Sequence, residues 1–125
     1  MGTSDTISNA CAGIDRLVDP KILKTTGFIG GQWRRAQSGA SFEVTNPANG
    51  NRIAGVSAMS AQESSDAVAA ANQAFPGWAA LLPQERAAIL HRWFALVSEA
   101  KEDLALLMTL EQGKPISESR GEIDY

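Results

Sequence analysis

The stretch that decides the fold is Ala58–Ala105, AMSAQESSDAVAAANQAFPGWAALLPQERAAILHRWFALVSEAKEDLA. It contains fourteen alanines, and alanine has the highest intrinsic helix propensity of all residues. Ser60 and Glu63 have the spacing of a capping box, in which each side chain accepts a hydrogen bond from the other residue's backbone N–H. We therefore predict a helix that begins after Ser60 and ends at Pro76-Gly77, because proline interrupts helical hydrogen bonding. Its apolar stripe consists of Val68, Ala71 and Phe75.

Three further helices are predicted after this one. Pro83 suits the first position of a second helix, because the backbone N–H that proline lacks has no helical partner there. The apolar stripe of the second helix consists of Ile89, Leu90, Trp93, Phe94 and Val97. A third helix runs through the leucines after Asp103 and ends at Gly113, since glycine readily takes the left-handed conformation that terminates helices. The fourth helix begins at Pro115 and its pattern continues to Tyr125.

Short β-strands are predicted in the N-terminal half of the chain. The turn-forming pairs Gly30-Gly31, Ser38-Gly39 and Asn49-Gly50 separate short apolar segments, as in β-hairpins. Residues 42–45 alternate between apolar and polar, and Pro47 ends this strand because it lacks the N–H of the ladder. We predict an antiparallel ribbon of three or four short strands. Residues 14–24 are predicted to form a short helical entry that Pro20 interrupts.

The overall composition is that of a soluble globular protein of one domain's length, with 125 residues, 44% hydrophobic and 20% charged. The formal net charge of −3 argues against nucleic-acid binding, which needs a basic patch. No apolar run approaches the length of about 18 residues that a membrane span needs, so we predict no membrane partner. Residues 1–15 lack the basic segment and apolar run of a secretory leader, so we predict a cytoplasmic protein.

No catalytic constellation is evident among the reactive side chains. Cys11 is the single cysteine, and we interpret it as an incidental free thiol because no predicted element positions it. His91 is the single histidine and borders an apolar stripe, so we interpret it as a partly buried structural residue. Three carboxylates of the fourth helix are expected on a solvated face: Glu118, Glu122 and Asp124. We predict no catalytic, cofactor-binding or metal-ligating residue in this chain.

Two glycine-containing segments invite comparison with phosphate-binding loops. Gly27–Gly31 lacks the G-x-G-x-x-G order and leads into a strand, which favours a hairpin turn. Gln112–Pro115 lacks the earlier glycine at the Walker spacing and the Ser or Thr that follows the lysine of that motif. We interpret this second segment as a helix C-cap.

The apolar stripes of the second and third helices need partners, because burying a large apolar side chain contributes about 1.5–3 kcal/mol. The predicted strands are short and interrupted by glycine, so they offer little cover. We therefore expect further protein to cover these stripes. It is either a continuation of the same chain or another chain, in which case this is a non-catalytic interaction module.

Five segments, in their order along the chain, resemble the N-terminal part of aldehyde dehydrogenases. The sequence of the last segment is most similar to the succinate-semialdehyde branch of that family. Each segment is weak alone, and together they cover about residue 20 to Tyr125. They are Phe28–Trp33 (FIGGQW), Val44–Gly50 (VTNPANG), Ala70–Trp78 (AANQAFPGW), Glu85–Leu90 (ERAAIL) and Thr109–Pro115 (TLEQGKP) with Gly121-Glu122-Ile123.

The resemblance implies an α/β enzyme with a Rossmann-like cofactor domain, a catalytic domain and an oligomerisation arm. Such an enzyme oxidises an aldehyde, here succinate semialdehyde or a related one, to the acid with NAD or NADP, through a cysteine thiohemiacetal and thioester. A glutamate base activates the hydrolytic water. The family's residues for these steps match nothing in this chain, so we expect the chain alone to be inactive and to bind no cofactor.

The resemblance also implies the organisation and the partners of the protein. We expect a loosely attached lead at residues 1–19 and the N-terminal part of an aldehyde dehydrogenase domain at 20–125, truncated at Tyr125. Expected partners are the rest of the chain, further copies in a homo-oligomer and a small aldehyde. Some members hold a structural monovalent cation through backbone carbonyls in segments that match Val44-Thr45 and Glu111. A sister enzyme with another substrate, such as betaine aldehyde, is an open alternative.

Overall fold

The computed structural model describes residues 13–125. Within this part of the chain, two short 3-10 turns precede four strands and four helices. The turns are Ile14–Arg16 and Pro20–Ile22, and the strands are β1 (Gly27–Ile29), β2 (Gln32–Arg34), β3 (Ser41–Thr45) and β4 (Arg52–Ser57). The helices are α1 (Ala61–Ala80), α2 (Pro83–Glu99), α3 (Lys101–Gln112) and α4 (Ile116–Asp124).

The four strands are antiparallel, as predicted, but they form two separate hairpins instead of one ribbon. β1 pairs with β2, and β3 pairs with β4. The segment between β2 and β3 turns away at Gly39, whose φ of +74° lies in the left-handed region that favours glycine. β3 therefore continues no ladder from β2, and β4 is its partner. Pro47 follows β3 directly after Asn46, as the sequence predicts.

The core lies between the second hairpin, α3 and the N-terminal turns. It consists of Leu17, Ile53, Ala54, Leu106 and Leu110, with partly buried apolar residues packed around them. The leucines of α3 thus find their cover on β4, contrary to the expectation that the short strands could not provide it. Ile53 and Ala54 are both buried although they are neighbours along β4, because the ladder has a register shift at this point that interrupts the alternation of side chains.

The first 3-10 turn and its neighbours are part of this core. Leu17 is 7% exposed. The loosely attached lead expected for residues 1–19 as a whole stays a prediction. The backbone N–H groups of Val18 and Asp19 bind the Asp103 carboxylate of α3, 2.8 Å from each nitrogen. Residues 1–12, with Cys11, lie outside the described part of the chain.

The helix boundaries confirm most of the capping signals. Glu63 and Ser60 form the capping box, and Glu85 accepts a hydrogen bond from the N–H of Leu82 at the start of α2. Gly113 ends α3 with a φ of +72°. The prediction that α1 ends at Pro76-Gly77 is wrong, because the helix continues through Pro76 to Ala80. The N–H that proline lacks lowers the stability of the helix. It does not end the helix here, because alanine-rich turns on both sides favour the helical conformation.

α1 packs on the first hairpin through small side chains. Ala67, Ala70, Ala71 and Ala74 lie beside Phe28–Gly31, and a Cβ on Gly30 would come within 3.9 Å of the Ala70 Cβ. Alanines on one face of a helix let the hairpin approach closely. Among the described residues, no helix has the length and apolarity needed to cross a bilayer.

Candidate functional site

The most conspicuous surface feature is an uncovered apolar face on α2. We call it the α2 face, and it consists of Ile89, Leu90, Trp93, Phe94 and Leu96. Trp93 is 65% exposed and Phe94 69% exposed. At 100° per residue these side chains share one side of the helix. Four of them belong to the predicted stripe, whose fifth residue, Val97, is half-buried. In contrast to α3, the stripe of α2 has little cover among the described residues.

Next to the α2 face lies a shallow apolar depression of about 450 Å³, lined by Ala87, Leu90, His91 and Phe94. All four residues belong to one helix, so the depression is an uncovered helix surface and not an enclosed site. His91 is exposed, which corrects the prediction of a partly buried structural histidine. It was expected to pack beside a covered stripe, and the stripe has no cover here.

α1 has a similar uncovered stripe. Val68 is 70% exposed and Phe75 64% exposed, and residues 71–80 are exposed throughout. The one buried residue of α1 is Glu63, at the end that reaches the hairpins. The two helices therefore present a large apolar area, since each aromatic side chain that becomes buried removes about 150–250 Å² from water.

Glu63 is the carboxylate with the strongest hydrogen-bond support. It accepts from the backbone N–H of Ser60 at 2.7 Å and from that of Gln37 at 2.8 Å. These donors, the Ser60 N–H first, lower the pKa of Glu63 because they favour the charged form. The capping box was predicted from the sequence, whereas the bond to Gln37 was not. It fastens the start of α1 to the segment between β2 and β3.

The charged residues of α3 and α4 pair across the two helices. Arg120 donates to both oxygens of Glu102, at 2.7–3.1 Å, and this hydrogen bonding lowers the pKa of Glu102 and raises that of Arg120. Lys101 binds Asp124, and Lys114 binds Glu122. Glu118, Glu122 and Asp124 are exposed, as expected for a solvated face. Exposed pairs of this kind add little stability and activate no nucleophile.

A buried hydroxyl pair lies between α3 and α4. Ser119 is fully buried, and its Oγ lies 2.8 Å from the Thr109 Oγ1. A serine nucleophile needs a neighbouring base to remove its proton, and a threonine hydroxyl cannot serve as one. We interpret the pair as a polar contact that fixes the two helices.

The segments implied in cation binding lie partly together. Val44 and Glu111 line one groove of about 270 Å³, whereas Thr45 is not among its lining residues. The other walls are mostly apolar side chains of Leu23, Ile53, Ala54 and Val56. No cluster of three or more histidine, cysteine or acidic side chains suited to a metal occurs within residues 13–125. Glu111 is the one side chain of this lining that can bind a cation, and the positive charge of Lys24 opposes one; any further ligand would have to be a backbone carbonyl.

Two long-range contacts that hold the fold together could not be predicted from the sequence. Asp103 has no local signal for its bonds to Val18 and Asp19, because the partners lie more than 80 residues away. Gly113 not only ends α3 but also approaches Pro47, so closely that a Cβ would lie 3.0 Å from the Pro47 Cγ. The segments around Asn46 and Gly113, both part of the resemblance, therefore meet in space.

The strands of the described residues are arranged differently from those of a dinucleotide-binding fold. Both sheets are two-stranded and antiparallel, and no strand leads through a glycine-rich loop into a helix. That the chain has no catalytic or cofactor-binding residue stays a prediction from the sequence. What the geometry defines is a piece of an α/β architecture with two helices uncovered.

Comparison with known proteins identifies the family. A sequence model of the aldehyde dehydrogenase family matches residues 33–125. Over 110 residues, the chain is 48% identical to the NADP(+) succinate-semialdehyde dehydrogenase of Escherichia coli K12, a match that covers 88% of this chain and 23% of that enzyme. It is 50% identical over 107 residues to a 3-sulfolactaldehyde dehydrogenase of Pseudomonas putida, covering 86% of this chain and 22% of that enzyme.

Solved structures agree with the sequence matches. The crystal structure of succinate-semialdehyde dehydrogenase from Burkholderia pseudomallei superposes with a TM-score of 0.84 at 48% identity, covering 87% of this chain and 23% of that one. The fold is therefore that of the N-terminal segment of these enzymes. The chain belongs to the aldehyde dehydrogenase family, and it spans less than a quarter of the length of these relatives.

Proposed function

We propose that this chain is the N-terminal portion of an NAD(P)-dependent aldehyde dehydrogenase that oxidises succinate semialdehyde to succinate. The observation that carries the proposal is the 48% identity to the E. coli enzyme over 88% of the chain. The relative that acts on 3-sulfolactaldehyde is as similar, so this substrate is the main competitor. Both aldehydes carry an anionic group, and we propose this shared chemistry for the substrate.

The chain's own residues contribute structure to such an enzyme. NAD(P)+ supplies the hydride acceptor when it is bound, and we propose that the residues that hold it belong to further sequence. Within residues 13–125, α3 and the second hairpin form the packed part. Asp103 holds the N-terminal turns against α3, and Glu63 holds the segment between β2 and β3 against α1. The proposed role of this part is to present α1 and α2 in a fixed position.

We propose that the remaining polypeptide of the parent enzyme covers the α2 face. The relatives are more than four times as long as the match, which leaves ample sequence for a covering domain. Trp93 and Phe94 are both more than 60% exposed, and burying either one fully would contribute about 1.5–3 kcal/mol. An uncovered aromatic pair of this size is unusual on the surface of a monomeric protein.

Activity of the intact protein tests the substrate. The chain is expressed together with the sequence that follows it in its gene, and turnover is measured by NAD(P)H absorbance. Succinate semialdehyde, 3-sulfolactaldehyde and betaine aldehyde are compared with NAD+ and with NADP+. We expect the highest kcat/KM with succinate semialdehyde, and no turnover by residues 1–125 alone. A higher kcat/KM with either of the other aldehydes would refute succinate semialdehyde as the substrate. Turnover by residues 1–125 alone would refute the proposal that the catalytic residues belong to further sequence.

A complementation experiment tests the cover of the α2 face. The E. coli relative is produced without the segment that matches this chain, and the two pieces are mixed. We expect Trp93→Glu to abolish the recovered activity, whereas Arg92→Glu, an exposed position outside the α2 face, retains it. Equal effects of the two substitutions would contradict the proposal.

A non-catalytic interaction module is the second candidate, because the α2 face is exposed. It would be favoured if the gene encodes no further dehydrogenase sequence and the chain binds a full-length relative through Trp93. The predicted homo-oligomer and the cytoplasmic location stay predictions. Size-exclusion chromatography with light scattering and cell fractionation would check them.

A further inference from the structure

A polar cavity of about 270 Å³ lies on the opposite side of the second hairpin from the core. Its polar walls come from three separate segments, and its lining includes Thr25, Arg35, Gly39, Ser41, Gly55 and Ser57. Backbone hydrogen bonds hold these segments together: the Ser57 N–H donates to the Thr25 carbonyl, and the Ala58 N–H to the Ala40 carbonyl, both at 2.9 Å. The positions of the walls are therefore fixed by the fold.

The register of the hairpin explains why hydroxyls gather there. Ser41 lies opposite Ser57 in the ladder, and Glu43 lies opposite Gly55. Since side chains alternate along strands, these positions share the face of the hairpin that points away from the core. Val44 and Ala54 lie on the other face and pack in the core. Gly55 contributes no side chain, and the Arg52 guanidinium lies close to it: a Cβ on Gly55 would come within 3.0 Å of the Arg52 Nη2.

The donors of the cavity are free to bind a ligand. No described residue forms an ion pair with Arg35 or a hydrogen bond with the hydroxyls of Thr25, Ser41 and Ser57. Glu43, which shares this face of the hairpin, binds Arg52 at 2.9 Å, and Glu63 accepts two backbone N–H groups. Arg35 is the one charged residue in the lining of the cavity.

We propose that this cavity binds a small oxyanion, with a phosphate group as its ligand. The planar guanidinium of Arg35 donates two parallel hydrogen bonds to such a group, and the three hydroxyls donate to its remaining oxygens. Phosphate has more acceptor positions than a carboxylate and uses all four donors. The volume is at the low end for ligand sites, which suits a single anionic group and excludes a whole dinucleotide.

Titration of the isotope-labelled chain with inorganic phosphate tests the proposal by NMR. We expect saturable shifts of the Arg35 Nε–H and the Gly39 amide at millimolar concentrations. Arg35→Gln is expected to raise the dissociation constant at least about tenfold, since it removes a charged hydrogen-bond donor. Ser41→Ala combined with Ser57→Ala leaves the net charge unchanged and is expected to weaken binding several-fold.

Arg34→Gln is the matched control, because it makes the same change of charge one residue away. Arg34 donates to Gln32 and does not line the cavity. Equal losses in Arg34→Gln and Arg35→Gln would show nonspecific attraction and overturn the proposal. Shifts that do not saturate would overturn it as well, and tighter binding of acetate than of phosphate would refute the ligand. None of these readings depends on aldehyde oxidation.

Discussion

The two hydrogen bonds between Asp103 and the N-terminal turns allow a specific prediction about the stability of the fold. Asp103 is 7% exposed, and its two oxygens accept the N–H groups of Val18 and Asp19 at 2.8 Å each. A hydrogen bond to a charged acceptor contributes about 1.5–3 kcal/mol. The two bonds together set an upper bound, because the freed segment can detach and bind water instead. We therefore expect Asp103→Ala to lower the free energy of unfolding by about 2–3 kcal/mol.

Two further variants separate the bonds from the charge. Asp103→Asn keeps one acceptor oxygen, so we expect a loss of about 1–2 kcal/mol. Asp103 also lies in the first turn of α3, where a negative charge interacts favourably with the helix dipole. Glu118 has the corresponding place in α4, and its side chain forms no hydrogen bond with a described residue. Glu118→Ala is therefore the control, with an expected loss below about 0.5 kcal/mol.

Urea unfolding followed by circular dichroism measures these differences. Amide hydrogen exchange gives the local answer, because the Val18 and Asp19 amides lose their acceptor in Asp103→Ala. A local loss of 2 kcal/mol corresponds to exchange about 30-fold faster at these two amides. If Asp103→Ala and Glu118→Ala cost the same, or if exchange at Val18 stays unchanged, the two bonds do not hold the N-terminal turns.

Three other positions give predictions of their own. Because hydrogen bonds lower the folded-state pKa of Glu63, its charge stabilises the fold above the unfolded pKa of about 4.3, and this contribution is lost as pH falls through the folded value. The urea midpoints of the chain and of Glu63→Gln should therefore differ most near neutral pH and converge in acid; a constant gap would contradict this. Gly113→Ala should cost about 1–2 kcal/mol for its positive φ plus the contact with Pro47, whereas Gly50→Ala, with a φ of +74° and open space, shows the cost of φ alone. Equal losses would mean that the contact with Pro47 yields freely. Pro76→Ala should raise stability by about 1–2 kcal/mol, since proline costs a helix interior about 3 kcal/mol and restricts the unfolded chain; lower helicity by circular dichroism would refute it.

The sequence predicted those features of the fold that depend on neighbours in the chain. Ser60 and Glu63 cap α1, Pro83 begins α2 and Gly113 ends α3, because each signal acts within four residues of its own position. The strands were also predicted, since turn residues and alternation are local. The error at Pro76 has the same origin: the rule gives a cost, and the cost alone does not decide whether the helix continues.

Long-range partners could not be predicted in this way. Nothing near Asp103 indicates that its acceptors bind residues 18 and 19, and nothing near Gln37 indicates its bond to Glu63. The pairing of β3 with β4 alone, and the cover that β4 gives to α3, likewise depend on which segments meet in space. The cavity at Arg35 is lined by residues from three segments, at residue 25, residues 35–41 and residues 55–57. No pattern of spacing in the sequence indicates that these segments meet.

The stripes of α2 and α3 show why a helical pattern alone cannot say what covers it. Both helices repeat large apolar residues every three or four positions, and from the sequence both stripes lacked a partner. In the structure Leu106 and Leu110 are buried against the second hairpin, while Trp93 and Phe94 are more than 60% exposed. An amphipathic stripe specifies that a partner is needed, and only the three-dimensional arrangement shows whether residues 13–125 supply it. They supply it for α3 and leave the stripes of α1 and α2 exposed.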